Sequence, residues 1–293
     1  MVRQQAVASL GLLQDSETVD ALLPLLEEPD PRLRFVTLRA LGQIRRPDVV
    51  PSLLPFLGDP RKELRFAAVE ALGAIRAPAA VSPLIEILGD ADRNLRRTAA
   101  EGLGAIAAPE AVAPLLVALR DEHWSVRCAA ANALGRIRSA KATPALLPLL
   151  EDADATVRRA AVVALGEIGD AKSTRRLLEA LQDPHLEATV IESLRRMGPT
   201  ILVEIERAYP SIGVDARLRL IDIIGQHEDR RAGRLLLGAL LDDNAEVRAE
   251  AALALGDGGF VDAARALMDL KASDPSSRVR KAASRALARL APR

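Results

Sequence analysis

The chain repeats itself every 31 residues, and a period of that size fixes an architecture before any single residue is interpreted. Val2-Arg3, Leu33-Arg34, Leu64-Arg65, Leu95-Arg96, Val126-Arg127 and Val157-Arg158 each open a copy of V-R-x-x-A-x-x-A-L-G-x-I. The fifth copy reads Val126-Arg-Cys-Ala-Ala-Ala-Asn-Ala-Leu-Gly-Arg-Ile137. A shorter, worn copy follows at Leu186, and the pattern resumes at Ala216-Arg217, Val247-Arg248 and Val279-Arg280. Units of this length bury their apolar faces only against their neighbours, so the whole chain, 1–293, is expected to be a single repeat solenoid.

Within a copy, apolar residues fall at offsets 0, 4, 7, 8 and 11 from the opening Val or Leu, as in Leu64, Ala68, Ala71, Leu72 and Ile75. That spacing predicts an amphipathic helix. Alanine at offsets 4 and 7 and glycine at offset 9 keep the face small where neighbouring helices meet, so the glycine is a packing residue and not part of a phosphate loop. Proline at offset 14 (Pro47, Pro78, Pro109) suits the first turn of a second helix, whose missing N–H costs nothing there. Prolines further in, Pro55 and Pro148, are expected to bend it. Each unit is read as a bent helix, a tight turn and a straight helix.

An acid usually stands six residues before the repeated arginine: Asp59 and Arg65, Asp90 and Arg96, Asp121 and Arg127, Asp152 and Arg158. A carboxylate in the turn is favoured at a helix N-terminus, and its two oxygens suit a guanidinium. So many equivalent pairs point to a structural ladder that sets the turn and ties adjacent units, not to catalysis.

These residues resemble the HEAT repeat, and within it the short HEAT-like repeats named after the phycobilisome bilin lyases. The resemblance rests on V-R-x-x-A-x-x-A-L-G with the turn aspartate and covers nearly all of the chain. It implies an all-α, right-handed α-solenoid of about nine helix pairs plus one unpaired helix, whose concave surface holds partner proteins.

Offsets 2, 6 and 10 of the straight helix lie off the core stripe and should form three rows along that wall. They include Phe35, Phe66, Arg97, Cys128 and Arg159 at offset 2, Arg39, Glu70, Glu101 and Asn132 at offset 6, and Arg136 at offset 10. Phe35 and Phe66 occupy the same offset in adjacent units and are expected to be neighbours. They are read either as an apolar anchor rimmed by Arg39, Glu70, Arg97 and Glu101 or as additional core. Trp124, the single tryptophan, is a further wall candidate, or a staple on its own helix. Cys128, between Arg97 and Arg159, is either a thiol with a lowered pKa or a filler of an alanine-like slot.

The unit at about 186–215 breaks the rules. Glu187 replaces the ladder arginine, Arg195 replaces the packing glycine, and the spacing shrinks to 29 residues. It is read as a hinge, as drift, or as a specialised site containing Arg195, Arg196, Glu204, Glu206 and Tyr209. The chain opens directly on a straight helix, which predicts an apolar N-terminal end, read either as the mark of a piece of a longer protein or as a surface that docks on another copy or domain.

The 40 basic and 40 acidic residues cancel, which argues against a broad nucleic-acid or anionic-lipid footprint. One cysteine permits no internal disulfide, and the three histidines show no metal-ligand spacing. No stretch reaches the roughly 18 apolar residues of a membrane span. The expected function is therefore a non-catalytic, cytoplasmic scaffold or adaptor for a protein or peptide, with no metal, cofactor, nucleic acid or membrane insertion. The alternatives are a bilin lyase-like enzyme or lyase subunit, and a HEAT-like nucleic-acid-binding protein.

Overall fold

The computed structural model describes residues 2–227 and 229–291. The described residues divide into two compact units, 1–168 and 169–293. In the first, straight helices Val2–Leu13, Pro31–Ile44, Lys62–Ile75, Arg93–Ile106, Trp124–Ile137 and Ala155–Ile168 alternate with shorter helical segments, and each straight helix packs on the next. In the second, Glu187–Met197, Val214–Gly225, Ala245–Asp257 and Ser277–Leu290 are the straight helices. Both units are all-α repeat stacks of the solenoid kind, with no strand among the described residues.

The core stripe is buried as the spacing requires: Leu64, Ala68, Ala71, Leu72 and Ile75 are all at most 5% exposed. Burial also reaches Ala67 and Val69, because a straight helix touches its neighbours on two flanks as well as the bent layer. The glycine at offset 9 marks where two straight helices come closest. A Cβ on Gly104 would stand 2.7 Å from the Ala133 Cα, and one on Gly256 would stand 2.6 Å from the Ala286 Cα. Those distances lie inside van der Waals contact, so glycine is required by the neighbour's backbone and not by its own dihedral angles.

The second helix of a unit breaks where it carries an inner proline. Where Pro55 or Pro148 is present, a four-residue α segment gives way to a 3₁₀ turn, Leu54–Gly58 or Leu147–Glu151. Where the proline is missing, as in Val81–Ile87 and Val112–Ala118, seven residues run on as α-helix. A proline removes one i→i−4 bond and its ring clashes with the carbonyl below it, which is the cause of the switch. Pro47, Pro78 and Pro109 each open a 3₁₀ turn at the first position.

One feature of the turns left no mark in the sequence pattern. The residue at offset 12 adopts left-handed dihedral angles in each of the first six copies: Gln14, Arg45, Arg76, Ala107, Arg138 and Gly169 have φ between 53° and 69°. At Arg45, Ala107 and Arg138 its N–H closes on a carbonyl of the last turn, that of Leu41, Leu103 and Leu134, and after Ala107 the chain reverses toward the proline two residues on. Glycine is the usual occupant of such a cap, yet only the sixth copy has one.

Candidate functional site

The ladder holds its arginines differently from the pairing expected from the sequence. Arg65, Arg96, Arg127 and Arg158 do reach back six residues, but to backbone: Nη1 donates to the carbonyl of Asp59, Asp90, Asp121 and Asp152 at 2.8–3.0 Å. The carboxylate belongs to the following unit. Arg96 Nε and Nη2 donate to the two oxygens of Asp121 at 2.7 and 3.0 Å, and Arg127 holds Asp152 the same way at 2.8 and 2.8 Å. Arg248 repeats the arrangement on Asp274, and Arg217 reaches Asp242 at 2.5 Å. Each aspartate also accepts the N–H two residues on, as Asp121 does from His123 at 2.8 Å, so one carboxylate closes its own turn and anchors the previous unit.

The rungs are sheltered, with Arg96 and Asp121 side chains only 11% and 12% exposed. Burial pushes the Asp121 and Asp152 carboxyls up, but the arginine and the turn N–H outweigh it and hold both below their ordinary value of 3.8. Arg248 beside Asp274 lowers that carboxyl directly. The ladder is incomplete toward the N-terminus. Asp90 accepts the N–H of Asp92 but no arginine, and the buried Nε of Arg65 has no partner.

The wall rows meet in a groove of about 530 Å³ in the first unit. Its lining includes Glu70, Arg97, Glu101 and Trp124 from the predicted set, with Cys128, Asn132 and Arg136 from the same rows. Phe35, Arg39, Phe66 and Arg159 do not line it. The two phenylalanines are half-buried and make no ring contact with each other; the Arg39 guanidinium lies 5.9 Å from the Phe35 ring centre and 3.9 Å from Glu70 instead. The expected aromatic pair is thus replaced by a cation over one ring. Trp124 is not a staple preceding the cap. His123 is the cap, with its Nδ1 accepting from Ser125 N–H, and Trp124 is the first helical residue, stacked on the His123 ring at 5.8 Å and 43% exposed.

The groove carries four arginines, Arg45, Arg76, Arg97 and Arg136, against two glutamates, Glu70 and Glu101. Arg97 pairs with Glu101 at 2.9 Å. Arg45, Arg76 and Arg136 are exposed and form no ion pair among the described residues. The Cys128 thiol is not activated by its arginine neighbours: burial pushes its pKa up, helped by Asp154, while Asn132 Nδ2 sits 3.7 Å from Sγ. Sequence reasoning missed Arg45 and Arg76, because they sit at the left-handed cap and outside the three rows.

The residues singled out in the worn unit do not form one cluster. Arg195 pairs with Asp222, Arg196 with Glu192 at 3.1 Å, and Glu204 with Arg207 at 2.5 Å. The Tyr209 ring lies under Arg217, 6.0 Å from its guanidinium carbon, and burial pushes its pKa up to about 12. Its hydroxyl is buried without a hydrogen-bond partner. Glu187, Glu204 and Arg207 line a separate cavity of about 880 Å³. No group of three or more His, Cys, Asp or Glu side chains suited to a metal ion occurs among the described residues.

Stacked helix pairs with small-residue seams, a turn-borne arginine ladder and a lined groove on the straight helices define an α-solenoid of helical repeats. The chain belongs to the HEAT repeat family, which matches residues 1–58, 25–90, 50–123, 81–154, 112–198 and 214–288. The segment 199–213 of the worn unit falls between the last two matches. Among solved structures, an engineered protein is similar at a TM-score of 0.52 and 21% identity, over 98% of this chain and 94% of that one. The complex of CpcE and CpcF of phycocyanin lyase from Nostoc is similar at 0.48 and 22%, over 83% and 94%. Human deoxyhypusine hydroxylase follows at 0.39 and 23%, over 85% and 98%. At 21% identity the likeness to the engineered protein is one of fold alone. No curated protein matches the chain.

Proposed function

We propose that the chain is a non-catalytic scaffold whose straight helices hold a partner polypeptide in the groove of the first unit. The observation that carries this reading is Trp124, 43% exposed on a rigid helix start, beside arginines that have no acid of their own. Tryptophan and arginine are the side chains that most often supply binding energy at protein interfaces, since each offers a large contact area with a polar handle. Charge decides the kind of segment: four arginines against two glutamates suit a stretch with carboxylates flanking an apolar residue. Arg45, Arg76 and Arg136 form no ion pair among the described residues, so a partner's carboxylates would displace none there. No helix among the described residues is long and apolar enough to cross a membrane, and a single cysteine, which permits no internal disulfide, suits the reducing cytoplasm as the compartment.

The test is affinity capture followed by cross-linking, with the unaltered chain and with Trp124→Ser/Arg136→Glu. A partner cross-linked to 97–136 and lost with the double variant, while circular dichroism is unchanged, supports the reading. Cross-links that map elsewhere and survive the variant overturn it.

A further inference from the structure

The worn unit has lost a whole rung, and a cavity stands where the rung would be. In the copies that follow it, an arginine at offset 1 meets an acid about 25 residues later, as Arg217 meets Asp242 and Arg248 meets Asp274. At the worn position the arginine is Glu187, and the position 24 residues on is Ser211. Both line the cavity of about 880 Å³. Losing only one partner would strand a sheltered charge; losing both removes the rung and leaves space.

The charge left behind is inverted. Glu187, Glu204 and Glu179 lie on the lining, and each is met by an arginine of the same unit: Arg219 at 2.7 Å, Arg207 at 2.5 Å and Arg175 at 3.3 Å. The carboxylates are the more sheltered member of these three pairs, although Glu179 also meets the less exposed Arg176 at 2.8 Å. Glu187, Glu204 and Glu179 side chains are 36%, 26% and 45% exposed, whereas their arginines are 59%, 71% and 77% exposed. Exposed arginines contribute little in such pairs and swing aside at small cost. At Glu187 and Glu204 the covering cations are therefore replaceable, and the lining holds four acids, Asp215 included, against three arginines.

We infer that this cavity takes an arginine side chain of a partner polypeptide, whose guanidinium supplies from outside the group that Glu187 has displaced from the ladder. A planar guanidinium satisfies a carboxylate with two parallel hydrogen bonds, the same contact the fold makes internally at Arg96 and Arg127. The site lies in the second unit and does not depend on the groove proposed above.

The experiment follows backbone amide shifts of Glu187 and Arg219 in the full chain while acetyl-Gly-Arg-Gly-amide is added, with its citrulline counterpart, free arginine and inorganic phosphate as separate arms. The arginine tripeptide is expected to bind at least tenfold more tightly than the citrulline one, and Glu187→Gln to weaken it by a similar factor. Rebuilding the rung with Glu187→Arg/Ser211→Asp is expected to abolish binding and raise the melting temperature. If that variant fails to fold, Glu187→Gln carries the test. Equal binding of the citrulline peptide, no response to Glu187→Gln, or free arginine binding where the capped peptide does not, each overturns the proposal. Tighter binding of phosphate also overturns it, by making the site one for anions held by the arginines.

Discussion

The turns at Asp121 and Asp152 in the first unit and the turn before Glu187 in the second serve the same place in the repeat and solve it in opposite ways. In the first, a sheltered guanidinium is satisfied by two carbonyls behind it and a carboxylate ahead of it. In the second, the arginine position carries a carboxylate paired sideways to Arg219 near the surface. The packing seam differs in step: Gly104 admits the Ala133 backbone, whereas the equivalent position in the worn unit is Arg195, turned outward to Asp222. The lesson is that the rung is the freer of the two: at Arg65 and Asp90 it is unmade although the Gly73 seam is intact, whereas at Glu187 and Arg195 both have changed.

The sharpest way to break this comparison is to remove one acid from each region. Asp121→Ala should destabilise the chain by about 3 kcal/mol, since it strands Arg96 in a sheltered site. Glu187→Ala should cost less than about 1 kcal/mol. Denaturant unfolding measures both, and equal losses would remove the distinction.

The seam comes next. Gly104→Val should cost about 2 kcal/mol, because its Cβ meets backbone and not a movable side chain. Arg195→Ala should stay within about 0.5 kcal/mol, since its partner Asp222 is exposed.

Acid should then act on the rungs. Asp121, Asp152 and Asp274 have lowered pKa values when folded, so their stabilisation is complete above the ordinary carboxylate value of 3.8 and is lost as pH falls through the folded values. A stability profile across that range should fall toward acid, and Asp121→Asn should flatten part of the slope. A profile unchanged by that substitution would show that the rung does not titrate with folding.

Two smaller effects should be gains. Tyr209→Phe removes a buried hydroxyl that has no partner and should raise stability by about 1 kcal/mol. Ala107→Gly relieves a left-handed cap and should raise it by roughly 0.5 kcal/mol, the balance of cap strain against lost chain entropy. Thermal melts resolve both, and a loss at either position would show that the local geometry carries no strain to relieve.

Much of this molecule was legible in its residues. Leu64, Ala68, Ala71 and Leu72 announced the core face, Gly104 the seam, and Pro55 and Pro148 the breaks in the second helix, because each acts on its own helix or on the next copy of the same pattern. Glu187 and Arg195 likewise marked the worn unit. The wall rows pointed to Arg97, Glu101 and Trp124, which the groove does bring together, but also to Phe35 and Phe66, which it does not.

What the 31-residue period determined by itself was the kind of structure: an all-α stack in which every unit repeats one set of contacts. What only the tertiary structure decided was which of two equivalent partners each arginine takes. Arg96 stands six residues after Asp90 and 25 before Asp121, and those two spacings sum to the period, so the sequence is consistent with either acid. The choice falls to the following unit: Asp90 gives Arg96 only its backbone carbonyl, while Asp121 presents both carboxylate oxygens to it across the seam. The groove was settled in the same way. Arg45 and Arg76 join it through left-handed caps whose residues carry no cap signature, and only the packed turns bring them beside the wall.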